Sequence, residues 1–174
     1  MLSEKMEKDL NNQLNAELYS SYLYLSMTSY FKSIKLDGFA NWMYVQAQEE
    51  LTHAMKFYDF INQRGGKVIL TQIEAPPTLW NSSVEVFEDT LKHEQKVTAL
   101  INNLVETALA EQDHATNIFL QWFVTEQIEE EENVGSVLEK LKLLKDTGGG
   151  MFLIDRELAK RAGVLAGTNS ENPI

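Results

Sequence analysis

The chain has 174 residues, 44% of them hydrophobic and 24% charged, which is typical of a folded globular protein with a sizeable core. Its formal net charge of −11 argues against anionic partners, so we expect neither nucleic-acid binding nor attachment to a membrane. The absence of cysteine excludes disulfides and thiolate-ligated metal sites. No signal peptide is evident and no apolar run approaches about 18 residues, so we expect a cytoplasmic protein.

The first predicted helix runs from about residue 3 to residue 33. Ser3, followed by acidic residues, is typical of a helix N-cap. Apolar residues recur along one face of this helix at the spacing of a buried stripe. Glu17 falls in that stripe where an apolar residue is expected, and Tyr24 lies two turns further along the same face.

The second predicted helix covers about residues 39 to 64, after an Asp37-Gly38 turn and before the glycine C-cap signal Gly65-Gly66. Glu50 and His53 interrupt its apolar stripe and lie side by side on one helix face. A buried carboxylate and a buried imidazole are costly unless something pairs them. A metal ion is one such partner, and Glu-x-x-His is the spacing that di-iron carboxylate bundles use.

Residues 65 to 82, which include Pro76-Pro77, indicate an extended crossover rather than a helix. The second helix would be about 39 Å long at ~1.5 Å per residue. An extended segment of this length reaches about 60 Å. The segment can therefore return the chain to the start of the bundle, which makes the third helix parallel to the second. This is the topology of four-helix bundles with one long crossover.

The third predicted helix covers about residues 84 to 111 and follows the capping sequence Asn81-Ser82-Ser83. A single carboxylate, Glu94, interrupts its apolar stripe. The fourth predicted helix covers about residues 114 to 145. Its stripe is interrupted within the acidic run from residue 126 to residue 132.

Gly148-Gly149-Gly150 interrupt the chain before a short fifth helix, predicted over about residues 151 to 162. The polar tail from residue 166 onward is expected to fray. No repeat of fixed period is evident, so we expect one domain over residues 1 to 174.

The polar interruptions of the four long helices would lie at one level of an antiparallel bundle. They are Glu17, Glu50 with His53, Glu94, and Gln127 with Glu130. Any one of them alone is more simply explained as a rim carboxylate or a hydrogen-bonded core histidine. Four coincident interruptions indicate bound divalent cations, because unpaired carboxylates crowded in a core repel one another and protonate. A carboxylate-rich set with imidazole suits iron or manganese, with zinc as a substitute, and Glu50 is a natural bridging ligand.

The strings from Ala47 to Tyr58, Leu120 to Phe123 and Glu126 to Glu132 closely resemble motifs of the non-haem ferritins of prokaryotic type. The resemblance covers essentially the whole chain. It implies an all-α, ferritin-like four-helix bundle with one long crossover and a short fifth helix. It also implies an iron-storage ferroxidase that oxidises Fe(II) with dioxygen at a di-iron centre inside each subunit. The ferric mineral would be held in a homo-oligomeric shell of 24 subunits, with the fifth helix at the four-fold axes.

The same resemblance implies roles for individual residues. The first iron would be bound by Glu17, Glu50 and His53, and the second by Glu50, Glu94 and Glu130. A third, adjacent iron site would use Glu49, Glu126 and Glu129 together with Glu130. Gln127 would lie beside the bound oxygen species or the second iron. Tyr24 and Trp122 match aromatic residues near the centre, either as electron donors or as packing.

Departures from sister families narrow this interpretation. A bacterioferritin-like centre would present a histidine where this chain has Glu130, and Leu51 replaces the haem-binding methionine, so we expect no haem. There are three alternatives: a di-iron oxygenase or oxidase subunit, an acidic bundle that binds no metal, and a catalytically silent ferritin subunit, which the complete ligand set disfavours. We interpret His93 and His114 as surface or turn residues. Trp80 and Leu79 are expected to be exposed apolar residues that a closed shell would cover.

Overall fold

The computed structural model describes residues 1–144 and 149–163, and the regular elements found there are five α-helices. They are α1 (Glu4–Ser33), α2 (Asp37–Gln63), α3 (Ser83–Ala110), α4 (His114–Leu144) and α5 (Gly150–Leu158). The predicted all-α fold is confirmed. Predictions for Lys145, Gly148 and the tail from residue 166 fall outside the described residues. None of the helices described carries an apolar stretch of the length and purity needed to span a bilayer.

Contacts between side chains at the helix ends show how the four long helices run. The α1 and α2 helices pack along their length, and Phe31 stacks on Phe39 across their short turn, with ring centroids 5.0 Å apart. In the α3–α4 pair, Lys142 near the end of α4 lies 2.8 Å from Glu88 near the start of α3. Phe87 also packs against Phe39, with ring centroids 6.0 Å apart. The starts of α2 and α3 are therefore neighbours, and these two helices are parallel, as predicted.

The segment between α2 and α3 is extended and follows α1. Asn11 donates from its side-chain amide to the carbonyl of Lys67 at 3.0 Å and accepts from the backbone N–H of Ile69 at 2.7 Å. Near the other end of α1, Ser26 donates to the carbonyl of Pro77 at 2.5 Å. The segment thus carries the chain along the full bundle to the start of α3, which confirms the predicted crossover.

Two apolar clusters fill the bundle, one on each side of a polar layer. One cluster uses residues 23–31 of α1 and 39–47 of α2, and the other uses residues 6–14 and 54–61 of the same helices. Nine of the thirteen buried polar residues in the described part of the chain fall between the clusters, and every long helix contributes to them. They are Glu17, Ser20, Gln46, Glu50, His53, Thr90, Glu94, Gln127 and Glu130. The apolar stripes therefore place at least two polar residues of each long helix at about the same height.

The N-termini of α1 and α3 are capped as the sequence predicts. Ser3 accepts a hydrogen bond from the backbone N–H of Met6 at 3.0 Å, and Ser82 accepts one from Glu85 at 3.1 Å. The C-terminus of α2 has Gly65 with φ of 73°, which places this glycine in the left-handed conformation that ends many helices.

The start of α2 differs from the prediction, because its cap comes from α5. The helix begins at Asp37 rather than residue 39, and its N-cap residue makes no side-chain capping bond. Instead, Asp155 Oδ1 accepts from the backbone N–H groups of Gly38 and Phe39, at 2.8 and 3.1 Å. A Cβ atom at position 38 would lie 1.7 Å from the Asp155 carbonyl oxygen, so this close approach requires glycine.

The α5 helix is shorter than predicted, and a side chain of α2 caps its end. It stops at Leu158 rather than near residue 162. The Asn41 amide donates to the carbonyl oxygens of Leu158 and Arg161, at 3.4 and 3.0 Å. These bonds satisfy carbonyls at the end of α5 that lack partners within the helix. The α2 and α5 helices therefore cap each other.

The prediction for Trp80 is wrong. Only 8% of this residue is exposed, and its ring packs edge-on against Tyr30 with centroids 5.4 Å apart. Its indole N–H donates to Asp89 Oδ2 at 3.2 Å, which satisfies the buried polar atom. Leu79 is 84% exposed, as predicted.

Candidate metal centre

The polar layer contains two groups of side chains whose ligand atoms converge. Glu17, Glu50 and His53 form the first group and are each buried, and His53, Glu126 and Glu130 form the second. Within each group, one ligand atom per residue lies within 4.8 Å of the others. His53 Nδ1 is 3.3 Å from Glu50 Oε2. Three helices therefore supply convergent carboxylate and imidazole atoms, the ligand types that Fe(II), Mn(II) and Zn(II) accept.

Glu17 has an unpartnered oxygen in this layer. Its Oε1 atom accepts from the Gln13 amide at 2.7 Å. Its Oε2 atom is buried and finds no hydrogen-bond partner among the residues that the structure describes. Burial, followed by the negative charge of Glu50, raises the pKa of Glu17 to about 8. Such an oxygen is costly in a metal-free core, and a cation placed toward Glu50 would satisfy it.

Glu94 brings a carboxylate from α3 to the same layer, and two donors hold it. Tyr24 donates its hydroxyl hydrogen to Glu94 Oε1, and Gln127 donates to Oε2 at 3.2 Å. Burial raises the pKa of Glu94 to about 7, although these hydrogen bonds act in the opposite direction. The donors fix the orientation of the carboxylate, as outer-shell partners do in metal sites.

Glu130 and Glu50 are linked through Gln46. The Gln46 amide donates to Glu130 Oε2 at 2.6 Å and to Glu50 Oε1 at 3.3 Å. Burial and the charge of Glu94 raise the pKa of Glu130 to about 7. Burial, with the charges of Glu94 and Glu130, raises the pKa of Glu50 well above its ordinary value. These carboxylates cannot all ionise in one core without compensating positive charge.

The residues expected to form a third site are only partly brought together. Glu126 converges with His53 and Glu130. Glu49 instead forms an ion pair with Arg161, in the segment after α5. The Glu129 side chain is exposed and belongs to neither group of converging ligand atoms.

The two aromatic residues singled out by the sequence differ in environment. Tyr24 is fully buried, and its hydroxyl contacts Glu94 directly. Trp122 is 40% exposed, and its ring lies edge-on to the His53 ring with centroids 5.3 Å apart. The Lys56 ammonium lies 4.2 Å from the centre of the Trp122 ring. Tyr24 is thus part of the polar layer, whereas Trp122 packs on its outer side.

Sequence reasoning missed three side chains that orient the carboxylates, namely Gln13, Gln46 and Arg161. Gln46 lies in the same stripe as Glu50, and Gln13 lies one turn before Glu17, so helical spacing was a usable signal for both. No local pattern marks Arg161, which follows the last helix.

The interpretation of His93 as a surface or turn residue is wrong. Its Nε2 atom lies 2.7 Å from Ser20 Oγ, and its ring packs against those of Tyr19 and Tyr24. Burial lowers the pKa of His93 to about 4. His114 is exposed at the first residue of α4, as expected for a turn residue.

The fold and the polar layer together define a four-helix bundle with one long crossover and a buried carboxylate–histidine cluster suited to divalent cations. Residues 7–144 match the family model described as the ferritin-like domain. The chain belongs to the ferritin family.

Individual relatives agree with this assignment. A bacterial non-heme ferritin of Bacteroides fragilis is 44% identical over 92% of this chain and 100% of its own length. One of Escherichia coli is 40% identical over 91% of this chain and 96% of its own length. The structure of an open pore ferritin from the archaeon Archaeoglobus fulgidus superposes with a TM-score of 0.92 at 52% identity, covering 93% of this chain and 100% of that one.

Proposed function

We propose that the chain is the subunit of an iron-storing ferroxidase. Membership of the ferritin family supports iron storage. The observation that carries cation binding, which the oxidation step requires, is the buried Glu17 Oε2 atom: it has no hydrogen-bond partner among the described residues, and its carboxylate converges with Glu50 and His53. Two Fe(II) ions would be bound, one by Glu17, Glu50 and His53 and the other by Glu50, Glu94 and Glu130. Each ion would give an electron to dioxygen, and the ferric product would be stored in an oligomeric shell.

The carboxylates prepare the site for a charged substrate. Their pKa values of about 8 for Glu17 and about 7 for Glu94 and Glu130 mean that protons partly neutralise the empty layer near neutral pH. Fe(II) displaces these protons, so binding is coupled to proton release. Ionised oxygen ligands favour Fe(III) over Fe(II), because the higher charge interacts more strongly with them. The ligand set therefore favours loss of an electron.

Neutral side chains hold the ligands in position during this change of charge. Gln13, Gln46 and Gln127 each donate to at least one of the carboxylates, and Tyr24 donates to Glu94. Such donors limit the rotation of a carboxylate without adding charge. Gln127 lies beside Glu94, where it would face the oxygen species. Tyr24 is better placed than Trp122 to give an electron or a proton, because its hydroxyl contacts a proposed ligand.

Further parts of the proposal concern assembly and a third ion. We place a third iron beside Glu126 and Glu130, with Glu49 and Glu129 as additional ligands. The chain would form one domain and assemble in the cytoplasm as a homo-oligomer of 24 copies around the mineral, with the closed symmetry that a shell requires. The Archaeoglobus relative is described as open pore, so pore geometry can vary around a very similar subunit.

Aerobic addition of Fe(II) to the purified apo protein tests the proposal. We expect ferric absorbance to rise faster than in buffer, with oxygen consumption, and light scattering to give the mass of a large shell. Glu94→Ala should slow the initial oxidation about tenfold or more, because one iron loses a ligand. The matched control is Glu106→Ala, on the exposed face of the same helix, which should oxidise iron at the wild-type rate.

Distinct outcomes would contradict distinct parts of the proposal. Oxidation at the buffer rate by the wild type would exclude a ferroxidase and leave a catalytically silent ferritin subunit or a bundle that binds no metal. Loss of assembly in Glu94→Ala with unchanged oxidation would contradict the site assignment. Oxidation of an added organic substrate coupled to oxygen use, with no retained iron, would favour a di-iron oxygenase.

A further inference from the structure

The segment after α5 brings one guanidinium group to the edge of the polar layer. Arg161 forms an ion pair with Glu49 through Nη2 and donates from Nη1 to Gln46 Oε1 at 2.8 Å. The guanidinium also lies over the Trp42 ring, 4.5 Å from its centre. The side chains of Arg161 and Glu49 are 21% and 25% exposed. Three separate contacts thus hold this arginine in a partly buried position.

The contact with Gln46 reaches the proposed iron ligands. An amide side chain accepts through its oxygen and donates through its nitrogen. Because Arg161 donates to the Gln46 oxygen, the Gln46 nitrogen is directed to the other side. There it donates to Glu130 at 2.6 Å and to Glu50 at 3.3 Å. Arg161 on one side and the two carboxylates on the other therefore favour the same orientation of the Gln46 amide.

The contact with Glu49 places a positive charge where a further cation would bind. Burial raises the pKa of Glu49, the positive charge of Arg161 acts to lower it, and the negative charge of Glu126 acts to raise it. Arg161 engages one of the two Glu49 oxygens, so a divalent ion held by Glu49 and Glu126 would bind the same carboxylate as the guanidinium. Two positive charges at one carboxylate repel each other strongly at such close range.

We propose that Arg161 is a positioning residue that serves as an internal counter-cation and competes with a third divalent ion for Glu49. With Arg161 in place, two ions are favoured among the central ligands and a third binds weakly. A third ion must displace the guanidinium and thereby also removes the donor to the Gln46 oxygen. The inference depends on the proposed function, since it assumes that the central carboxylates bind cations.

A purely mechanical role for Arg161 makes different predictions. The segment around α5 is already attached through Asp155, which caps α2, and through Asn41, which binds the carbonyls near Leu158. If Arg161 only added one more attachment, its replacement would change the stability of the fold. It would not alter the affinity for the third ion relative to the affinity for the first two.

Zinc binding to the apo protein, measured by isothermal titration calorimetry, tests the proposal without iron oxidation. We expect two tightly bound Zn²⁺ ions per subunit in the wild type and in Arg161→Gln. In the variant, a third ion should bind about tenfold more tightly than in the wild type, since a charge-assisted hydrogen bond no longer competes. Arg156→Gln is the matched control. It removes the same charge from exposed α5 surface and should leave the third affinity unchanged.

Two further variants strengthen the test. Adding Glu49→Gln to Arg161→Gln should abolish the tighter binding of the third ion, because residue 49 is then no longer an anionic ligand. Arg161→Lys retains the charge but cannot engage Glu49 and Gln46 with the same fork geometry. The affinity of this variant for the third ion should therefore fall between those of the wild type and Arg161→Gln. If Arg161→Gln does not assemble, Arg161→Lys compared with Arg156→Lys decides the question.

Different results would overturn the proposed function and the inference about Arg161. If the wild type binds fewer than two zinc ions per subunit, the proposed function is overturned together with this inference. If two ions bind tightly but the third is no tighter in the Arg161 variants than in the Arg156 controls, only the inference is overturned. A gain that persists with Glu49→Gln would also overturn it, because the competition would not be for Glu49.

Discussion

Replacing Gly38 with alanine should destabilise the protein, although the same change usually stabilises a helix. Glycine in a helix interior costs about 0.5–1 kcal/mol relative to alanine, because it loses more backbone entropy on folding. Position 38 is exceptional, since an added Cβ would lie 1.7 Å from the carbonyl oxygen of Asp155 and 2.5 Å from its carbonyl carbon. Both are backbone atoms and cannot rotate away. The α5 helix must therefore move off the start of α2.

The cost of that movement follows from the bonds it breaks. The backbone N–H groups of Gly38 and Phe39 would lose Asp155 as acceptor, at 2.8 and 3.1 Å. A hydrogen bond to a charged group contributes about 1.5–3 kcal/mol. Water can partly replace both bonds at this half-buried position, and alanine recovers part of the backbone entropy. We expect a net loss of about 2–4 kcal/mol in the free energy of unfolding.

Urea unfolding, followed by tryptophan fluorescence at one protein concentration, measures this loss. The control is Gly135→Ala in α4, where an added Cβ meets nothing within 4 Å. That substitution should stabilise by about 0.5–1 kcal/mol. The two glycine variants should thus shift the urea midpoint in opposite directions. A Gly38→Ala protein as stable as the wild type would refute the description of α5 seated on the start of α2.

Two further predictions concern protonation and backbone conformation. The pKa values of Glu17, Glu94 and Glu130 are raised from an ordinary 4.5 to about 8, 7 and 7. At a pH between the ordinary and the raised values, the folded metal-free protein therefore binds more protons than the unfolded chain. Its stability should fall as the pH rises from about 5 to 8, as urea midpoints can show, and Zn²⁺ should remove the decline by displacing the protons. Lys35, with φ of 63°, adopts the left-handed conformation at the end of α1. Lys35→Gly should therefore raise the free energy of unfolding by about 1 kcal/mol in the same measurement.

Each of these predictions has an internal control. Glu17→Gln removes one titrating group, so the decline of stability with pH should be shallower, and stability that rises with pH would contradict the assigned pKa shifts. Lys96→Gly places glycine on the exposed surface of α3 and should cost about 1 kcal/mol. If both lysine variants lose stability equally, the left-handed conformation at position 35 is not strained.

The four long helices were predictable because their signals are local. Ser3 and Ser82 cap helices within three residues of themselves, and Gly65 ends α2 directly. The start of α2 was not predictable in this way. Its cap, Asp155, lies 117 residues from Gly38 along the chain, so no pattern around the helix start could reveal it.

In the candidate site, the sequence predicts the charged ligands but not the side chains that orient them. Glu50 and His53 stand out because ionisable groups in an apolar stripe are costly. Gln46 occupies the same stripe but carries no charge, and its importance depends on three partners from different elements. Arg161 has no periodic context at all. Its role can be inferred only when the segment after α5 is seen against α2.

The first part of the crossover is held by hydrogen bonds to its backbone, which affects how freely its sequence can change. Asn11 and Asn15 hold it by hydrogen bonds to backbone atoms of Lys67, Ile69, Thr71 and Gln72, and none of these bonds involves a side chain of the crossover. Recognition through the main chain is insensitive to residue type. The exposed positions among residues 67–72 are therefore open to sequence drift and to engineered surface chemistry, while two asparagines on the neighbouring helix hold the path of the chain there.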